Sequence, residues 1–244
     1  MNVREDQVSG TVENRFTRLE PLLGTGAIGK LTASGVILFG VGGVGCAAAE
    51  ALARCGVGRI GLVDSDVFTP SNLNRQLFAT VSALGRKKVD VAAERIADIA
   101  PECEVRKYDF FYAPETAELV DLSEYDYIID AIDTVRAKVE LAVRAAEAGV
   151  RIISCMGTGN RLDPSALRVA DIYGTSGDPL SKVMRHELRA RGIASLKVVC
   201  STEQPVPASV PGSGGRHAPA SSPFVPPAAG LLLASETVRD LIGQ

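Results

Sequence analysis

Residues Val36 to Asp64 leave this chain little choice of architecture. An apolar run, Val36-Ile37-Leu38-Phe39, leads into Gly40-Val41-Gly42-Gly43-Val44-Gly45 and an alanine-rich stretch ending near Cys55. A second apolar run, Ile60-Gly61-Leu62-Val63, then stops at Asp64. A strand, a helix and a second strand in that order predict a parallel pair joined by a crossover. Uninterrupted apolar strands belong in a sheet covered on both faces. The glycines allow a tight turn and close approach of an anion, and the helix N-terminus aims unpaired N–H groups at it. Asp64, at the tip of the second strand, is placed to bind ribose hydroxyls. By itself this pattern serves a nicotinamide dinucleotide as well as ATP.

The alternation continues. The sequence predicts a helix over Lys87–Ile99, a strand over Glu104–Tyr108, and a short helix over Pro114–Val120. Next come a strand over Tyr127–Ile132, a helix over Val135–Ala148 and a strand over Arg151–Cys155. A short helix over Asn14–Leu23 precedes the first strand, and residues up to about Glu13 read as a loose tail. Beyond Gly159 come a strand at Leu167–Ile172, a helix at Asp178–Arg191 and a strand at Leu196–Cys200. Pro205 to Pro227 holds seven of the thirteen prolines and reads as a loop or crossing segment. Pro227 then opens a last helix to Leu241. The fold expected is α/β: a Rossmann-like, doubly wound, mainly parallel sheet with helices on both faces, plus additional C-terminal strands and a helix. One domain spans 1–244, with a nucleotide-binding core at 14–160, a substrate-side extension at 161–204, a Pro/Gly-rich loop at 205–227 and a C-terminal helix at 228–244.

Composition removes whole classes. At 244 residues, 46% hydrophobic and 23% charged, the chain is an ordinary globular one, and a net charge of −3 argues against a generally basic nucleic-acid coat. The five cysteines form no CxxC pair, against a structural zinc site, and their odd number suits reduced thiols in a cytoplasmic protein. The apolar run Ala228–Ala234 is far short of the roughly 20 residues of a membrane span.

The residues beyond Asp64 separate ATP from NAD. Asp64-Ser65-Asp66-Val67, Ser71-Asn72-Leu73-Asn74-Arg75-Gln76 and Gly85-Arg86-Lys87-Lys88 form a polar, cationic stretch, and Asp130-Ala131-Ile132-Asp133 closes the fourth strand. In a doubly wound sheet these loops converge on one edge. Asn72, Arg75 and Gln76 would meet a triphosphate, Lys88 would neutralise it, and Asp133 would hold Mg²⁺. Attack at phosphorus needs cations to stabilise developing charge, whereas hydride transfer does not. Singly, each residue has a blander reading: Asp64 as a solvated strand end, Arg75 and Lys88 as surface charges, Asp130 or Asp133 as a cap on the next helix. Asp130, pointing into the sheet end, suits the structural role.

These motifs, in this order, resemble those of the ubiquitin-activating-like adenylating enzymes, a superfamily that includes ThiF, MoeB and HesA and that adenylates carboxylates with MgATP. The resemblance runs from about Arg15 to Cys200. It implies that Gly40, Gly42, Gly43 and Gly45 hold phosphate, that Asp64 and Asp66 lie at the ribose side, and that Asn72 and Gln76 support the site. Arg75, Lys88 and Asp133 become catalytic, with Asp133 positioning Mg²⁺. Arg15-Phe16-Thr17-Arg18 is similar to the N-terminal arginine pair of homodimeric members, which implies a homodimer with Arg18 reaching the partner's ATP.

Departures point to a branch. Sulfur-carrier enzymes usually carry two CxxC pairs, and neither is here. Gly157-Thr158-Gly159-Asn160-Arg161-Leu162-Asp163-Pro164, Val169-Ala170-Asp171-Ile172, Cys200-Ser201-Thr202-Glu203 and Ser222-Pro223-Phe224-Val225-Pro226-Pro227 resemble the tRNA threonylcarbamoyladenosine dehydratases. That branch implies activation of the nucleoside's own carboxylate and closure by its carbamoyl oxygen, so no cysteine need act. Cys200 reads as a nucleophile or, more simply, as a buried strand residue. A tRNA partner gives Lys182, Arg185 and Arg189, at helical spacing on one face, a phosphate-binding role beside the plainer one of a solvated helix face. The resemblance also admits a monovalent cation and a sulfur-relay partner. The competing readings are an adenylyltransferase of a ubiquitin-like sulfur carrier, an NAD-dependent oxidoreductase and a non-catalytic RNA-binding protein.

Overall fold

The computed structural model describes residues 13–211 and 217–244; the tail expected over 1–12 and the centre of the Pro/Gly-rich segment lie outside them. Seven strands form one sheet: β1 (Gly35–Phe39), β2 (Arg59–Val63), β3 (Glu104–Tyr108), β4 (Tyr127–Asp130), β5 (Arg151–Cys155), β6 (Leu167–Asp171) and β7 (Lys197–Ser201). Their order is β3-β2-β1-β4-β5-β7-β6, all parallel except β6, which runs antiparallel to β7 at the edge. Strand order reverses between β1 and β4, and the crevice beyond their C-terminal ends is where such sheets bind ligands.

Along β1, Val36 and Leu38 face one core while Ile37 and Phe39 face another, so the strand is buried on both sides. The first core is covered by α3 (Gly43–Cys55), α4 (Lys88–Ile99) and α7 (Val225–Ile242), the second and its extension by α5 (Val135–Ala148) and α6 (Pro179–Ala190). Helix α7 crosses α3 so closely that a methyl group on Gly230 would sit 2.1 Å from the Val44 carbonyl oxygen. Glycine is required there by backbone contact rather than by conformation.

Most predicted elements lie within a residue or two of their expected limits. The differences have local causes. β4 stops at Asp130, because the Ile132 N–H turns back to the Asp130 carboxylate at 3.1 Å instead of extending the ladder. Pro114–Leu119 is a 3₁₀ helix rather than an α-helix. α7 begins before Pro227, at Val225, since Pro226 and Pro227 fit a first turn whose N–H groups have no helical partner. The helix expected over Asn14–Leu23 shrinks to α1 (Glu20–Leu23), and a second helix, α2 (Ala27–Ala33), was not foreseen between Gly26 and Ser34. Within the segment read as a loop, β8 (Ser209–Pro211) and β9 (His217–Pro219) pair antiparallel. No helix among the described residues is long and apolar enough to cross a membrane.

Candidate functional site

A cavity of about 510 Å³ opens at the strand-order reversal. The side expected to take a nucleotide is lined by Gly40, Gly42, Gly43, Asp64, Asp66, Asn72, Arg75, Gln76, Lys88 and Asp133. Twelve site residues were expected at a nucleotide; Gly45 and Arg18 alone among them do not line this cavity.

Gly45 serves the turn instead. A methyl group there would sit 1.8 Å from the Gly40 carbonyl oxygen, so its absence lets α3 start directly against the loop. Gly40 has φ of +91°, and a side chain there would also strike the Ala131 carbonyl, 2.7 Å from the Cβ position. Gly42 is the N-cap of α3 and no side chain caps that end. The first N–H groups of α3 therefore remain available to an anion.

Asp64 is held by its neighbours. Its carboxylate accepts the Val41 N–H at 2.7 Å and the Asp66 N–H at 2.8 Å, one on each oxygen. Each oxygen keeps a lone pair for a ribose hydroxyl. Lys88, buried at 5% exposure, donates to Asp66 at 2.8 Å, with Asp66 itself open to solvent. Arg75 differs. Its guanidinium donates to the Ser71 carbonyl at 2.9 Å and to Asn74 Oδ1 at 3.0 Å, and no carboxylate pairs with it among the described residues. Burial depresses its pKa, the signature of a cation short of an anion. Gln76 Oε1 is buried without a hydrogen-bond partner among the described residues, and Asn72 Oδ1 accepts the Thr69 N–H at 3.0 Å.

Asp133 is exposed on the rim and accepts only the Thr134 hydroxyl, at 3.3 Å, leaving its carboxylate open to a cation. One free carboxylate beside a phosphate cradle suits Mg²⁺, which takes few protein ligands and uses substrate phosphates for the rest. Asp130, by contrast, is 1% exposed and bonded to Lys138 at 2.9 Å and to the Ser154 hydroxyl. Lys138 also donates to the Ile132 carbonyl at 2.9 Å. This pair holds the loop that presents Asp133. Lys138 was not foreseen, though its position one helical turn into α5 could have signalled it.

The far wall was also unforeseen: Phe110 and Phe111 after β3, Met156 to Gly159 after β5, Leu180 at the start of α6, and Pro219–Ser221. Behind it, Arg161 and Asp178 form a second buried pair at 2.9 Å, with exposures of 2% and 4%. The aromatic pair directly after β3 was a usable signal; Pro219–Ser221 reaches the cavity only through long-range contacts.

The remaining candidates lie elsewhere. Cys200 is buried in β7, facing the core rather than the cavity. Cys155 borders the cavity, but burial pushes its thiol up to about 12, so it carries almost no thiolate at neutral pH. Arg18 is exposed, and its neighbour Phe16 packs at Gly56, past the C-terminal end of α3 and opposite the glycine loop. On α6, Lys182 and Arg189 are exposed, but the Arg185 guanidinium is tied to the Thr175 carbonyl and hydroxyl, because Thr175 packs beside that turn of α6. Of the expected trio, Lys182 is unengaged among the described residues, while the Arg189 guanidinium lies over the Tyr173 ring at 4.9 Å.

Residues 15–213 match the ThiF family. The chain is 42% identical over 243 residues to the tRNA threonylcarbamoyladenosine dehydratase of Bacillus subtilis (strain 168), covering 94% of this chain and 95% of that protein. The crystal structure of E. coli tRNA N6-threonylcarbamoyladenosine dehydratase, TcdA, in complex with ATP superposes with a TM-score of 0.81 at 32% identity, covering 91% of each chain. The same protein in complex with AMP gives a TM-score of 0.82 at 32% identity, covering 91% of this chain and 92% of that one.

Proposed function

The chain belongs to the ThiF family, and from that premise we propose that it is an ATP-dependent tRNA threonylcarbamoyladenosine dehydratase. The observation that carries the reading is Arg75: a half-buried cation without a carboxylate partner, beside an uncapped helix N-terminus and a ribose-ready Asp64. Hydride transfer gives these cations nothing to do.

The nucleoside's carboxylate oxygen attacks the α-phosphorus of ATP and displaces pyrophosphate, forming an acyl-adenylate. The carbamoyl oxygen of the same side chain attacks the activated carbonyl, the adjacent carbamoyl N–H gives up its proton to solvent, and AMP leaves with the former carboxylate oxygen. The product is a cyclic ester lighter by one water. Arg75, Lys88 and the N–H groups of α3 stabilise charge on the phosphate oxygens. Mg²⁺ held near Asp133 would neutralise the phosphates and make pyrophosphate a better leaving group. Because ring closure is intramolecular, positioning takes the place of a protein nucleophile. The buried Cys155 and Cys200 fit that economy, and the reading needs no sulfur-relay partner.

The tRNA would approach along α6, which starts at the cavity with Leu180 and carries Lys182 and Arg189 outward. A homodimer is supported by Arg18, exposed and away from its own cavity, where it is free to serve a second subunit. A tRNA substrate is consistent with a cytoplasmic protein. The test is mass spectrometry of nucleosides from tRNA bearing threonylcarbamoyladenosine, after incubation with MgATP and mild neutral digestion. The reading expects loss of one water, dependent on ATP and Mg²⁺ and abolished by Asp133→Ala. An unchanged nucleoside with ATP still bound would point to another carboxylate, such as the tail of a sulfur-carrier protein.

A further inference from the structure

Asn160 has φ of +60° and is alone among the described non-glycine residues in the left-handed region. Asparagine tolerates that conformation better than most residues, yet it is seldom found there without a reason. Here both polar backbone groups of Asn160 and its side-chain oxygen are committed. Its N–H donates to the Ala220 carbonyl at 2.8 Å, and its Oδ1 accepts the Ala220 N–H at 2.7 Å. Its carbonyl accepts the Val206 N–H at 2.8 Å. One residue thus ties the limb at Val206 to the returning limb at Ala220.

The returning limb is fastened at its other end as well. Asn74 Nδ2 donates to the Ser221 carbonyl at 2.9 Å, while Asn74 Oδ1 accepts from Arg75 at 3.0 Å. Pro219 packs on Gly159 so tightly that a methyl group there would sit 2.8 Å from the Pro219 Cβ. Pro219, Ala220 and Ser221 all line the cavity opposite the glycine loop. They form a strap fixed at one end to the loop after β5 and at the other to Asn74, which in turn accepts from Arg75. With the Ala220 N–H, the Ala220 carbonyl and the Ser221 carbonyl already paired, its shape is set before any ligand arrives.

Two reactive groups must meet in line at the α-phosphorus, and a misalignment of about 1 Å can cost on the order of 100-fold in rate. The nucleotide has its own cradle, whereas the incoming carboxylate needs a second rigid surface. We propose that Asn160 is a positioning residue that fixes the Pro219–Ser221 strap as the wall against which the carboxylate-bearing group of the substrate is aligned. The proposal rests on the dehydratase reading and adds the element that orients its substrate.

The test is Asn160→Gly, which keeps the left-handed backbone and the main-chain bonds and removes the side-chain amide with its Oδ1 acceptor. Steady-state dehydration of tRNA bearing threonylcarbamoyladenosine is measured together with the Kd for ATP. Expected is a fall of tenfold or more in kcat at saturating tRNA, with the Kd for ATP within twofold of the wild type. An unchanged kcat would overturn the proposal. So would parallel losses of ATP affinity and kcat, which would make Asn160 a support of the whole fold. Should Asn160→Gly fail to fold, Pro219→Gly loosens the strap with Asn160 intact and carries the same expectations. The wild-type arm separates the two levels: a wild type that leaves the nucleoside unchanged defeats the dehydratase reading, and the proposal with it.

Discussion

The two sides of the cavity are built by different means. On the nucleotide side, the glycine loop, Asp64, Asn72, Arg75, Gln76 and Lys88 lie in one stretch of chain and line the cavity from consecutive β–α connections. On the substrate side, Gly159, Leu180 and Pro219–Ser221 come from distant segments and are joined by contacts such as Asn160 to Ala220 and Asn74 to Ser221. The first side presents charge and N–H groups, and the second presents shape. Damage to the first should therefore appear in the chemical step with any substrate, and damage to the second in how one substrate is held.

Each side also has a buried ion pair behind it, and breaking these should produce the largest effects. Lys138→Met leaves Asp130 buried without a cation, and Arg161→Met does the same to Asp178. Each should cost about 3–5 kcal/mol of stability, read from urea midpoints, because the remaining charge stays desolvated. Adding Asp130→Asn to Lys138→Met should restore much of the loss. If Arg161→Met costs nothing, the substrate side is held by the strap alone.

Next in size are the phosphate cations. Arg75→Ala and Lys88→Ala should each lower kcat by roughly 100- to 1000-fold, the usual loss for one charge-stabilising donor, measured as pyrophosphate release. Substitutions on α6 should separate cleanly from these. Lys182→Glu with Arg189→Glu should weaken tRNA binding about tenfold and lower the salt slope of log K by about 1.8, at about 0.9 per phosphate contact, while ATP binding is untouched. Unaltered tRNA affinity in a gel-shift titration would reduce this helix to a solvated face.

The last effect joins the two sides and shows only at alkaline pH. Burial raises Cys46, beneath the glycine loop, and Cys155, beside the substrate wall, to about 12 from an ordinary 9.0. Between these values the unfolded chain has lost both protons while the folded chain keeps them. Stability is thus intact below about pH 9 and falls as pH rises toward 12. The denaturation midpoint should drop across that window, and Cys46→Ala or Cys155→Ala should each flatten the drop. A profile that stays level would mean the thiols are less buried than the fold implies.

The contrast between the two sides also explains what the sequence could reveal. Periodicity placed β1, β2 and β4 most plainly, because strands buried on both faces are continuous apolar runs, whereas the edge strand β3 is partly exposed and carries Glu104, Arg106 and Lys107. The nucleotide side was legible because its residues cluster in short motifs whose spacing is set by a strand, a turn and a helix. Asp130 was legible as structural for the same reason, being the last residue of a buried strand. The contacts of Asn160 and Pro219–Ser221 were not legible, since nothing local announces them. Their roles come from partners far away in the chain: Asn160 meets Ala220, and Asn74 meets Ser221. The hairpin of β8 and β9 was hidden for a related reason, as prolines and glycines normally mark loops. Arg185 shows the limit of helical spacing: it shares a face with Lys182 and Arg189, yet Thr175 already occupies its guanidinium.

The most direct test of carboxylate adenylation tracks an oxygen atom. With ¹⁸O in the carboxylate of threonylcarbamoyladenosine, attack on the α-phosphorus and expulsion by the carbamoyl oxygen should leave one ¹⁸O in the AMP released, with unlabelled pyrophosphate. Unlabelled AMP, or label in inorganic phosphate beside ADP, would contradict carboxylate adenylation in this cavity.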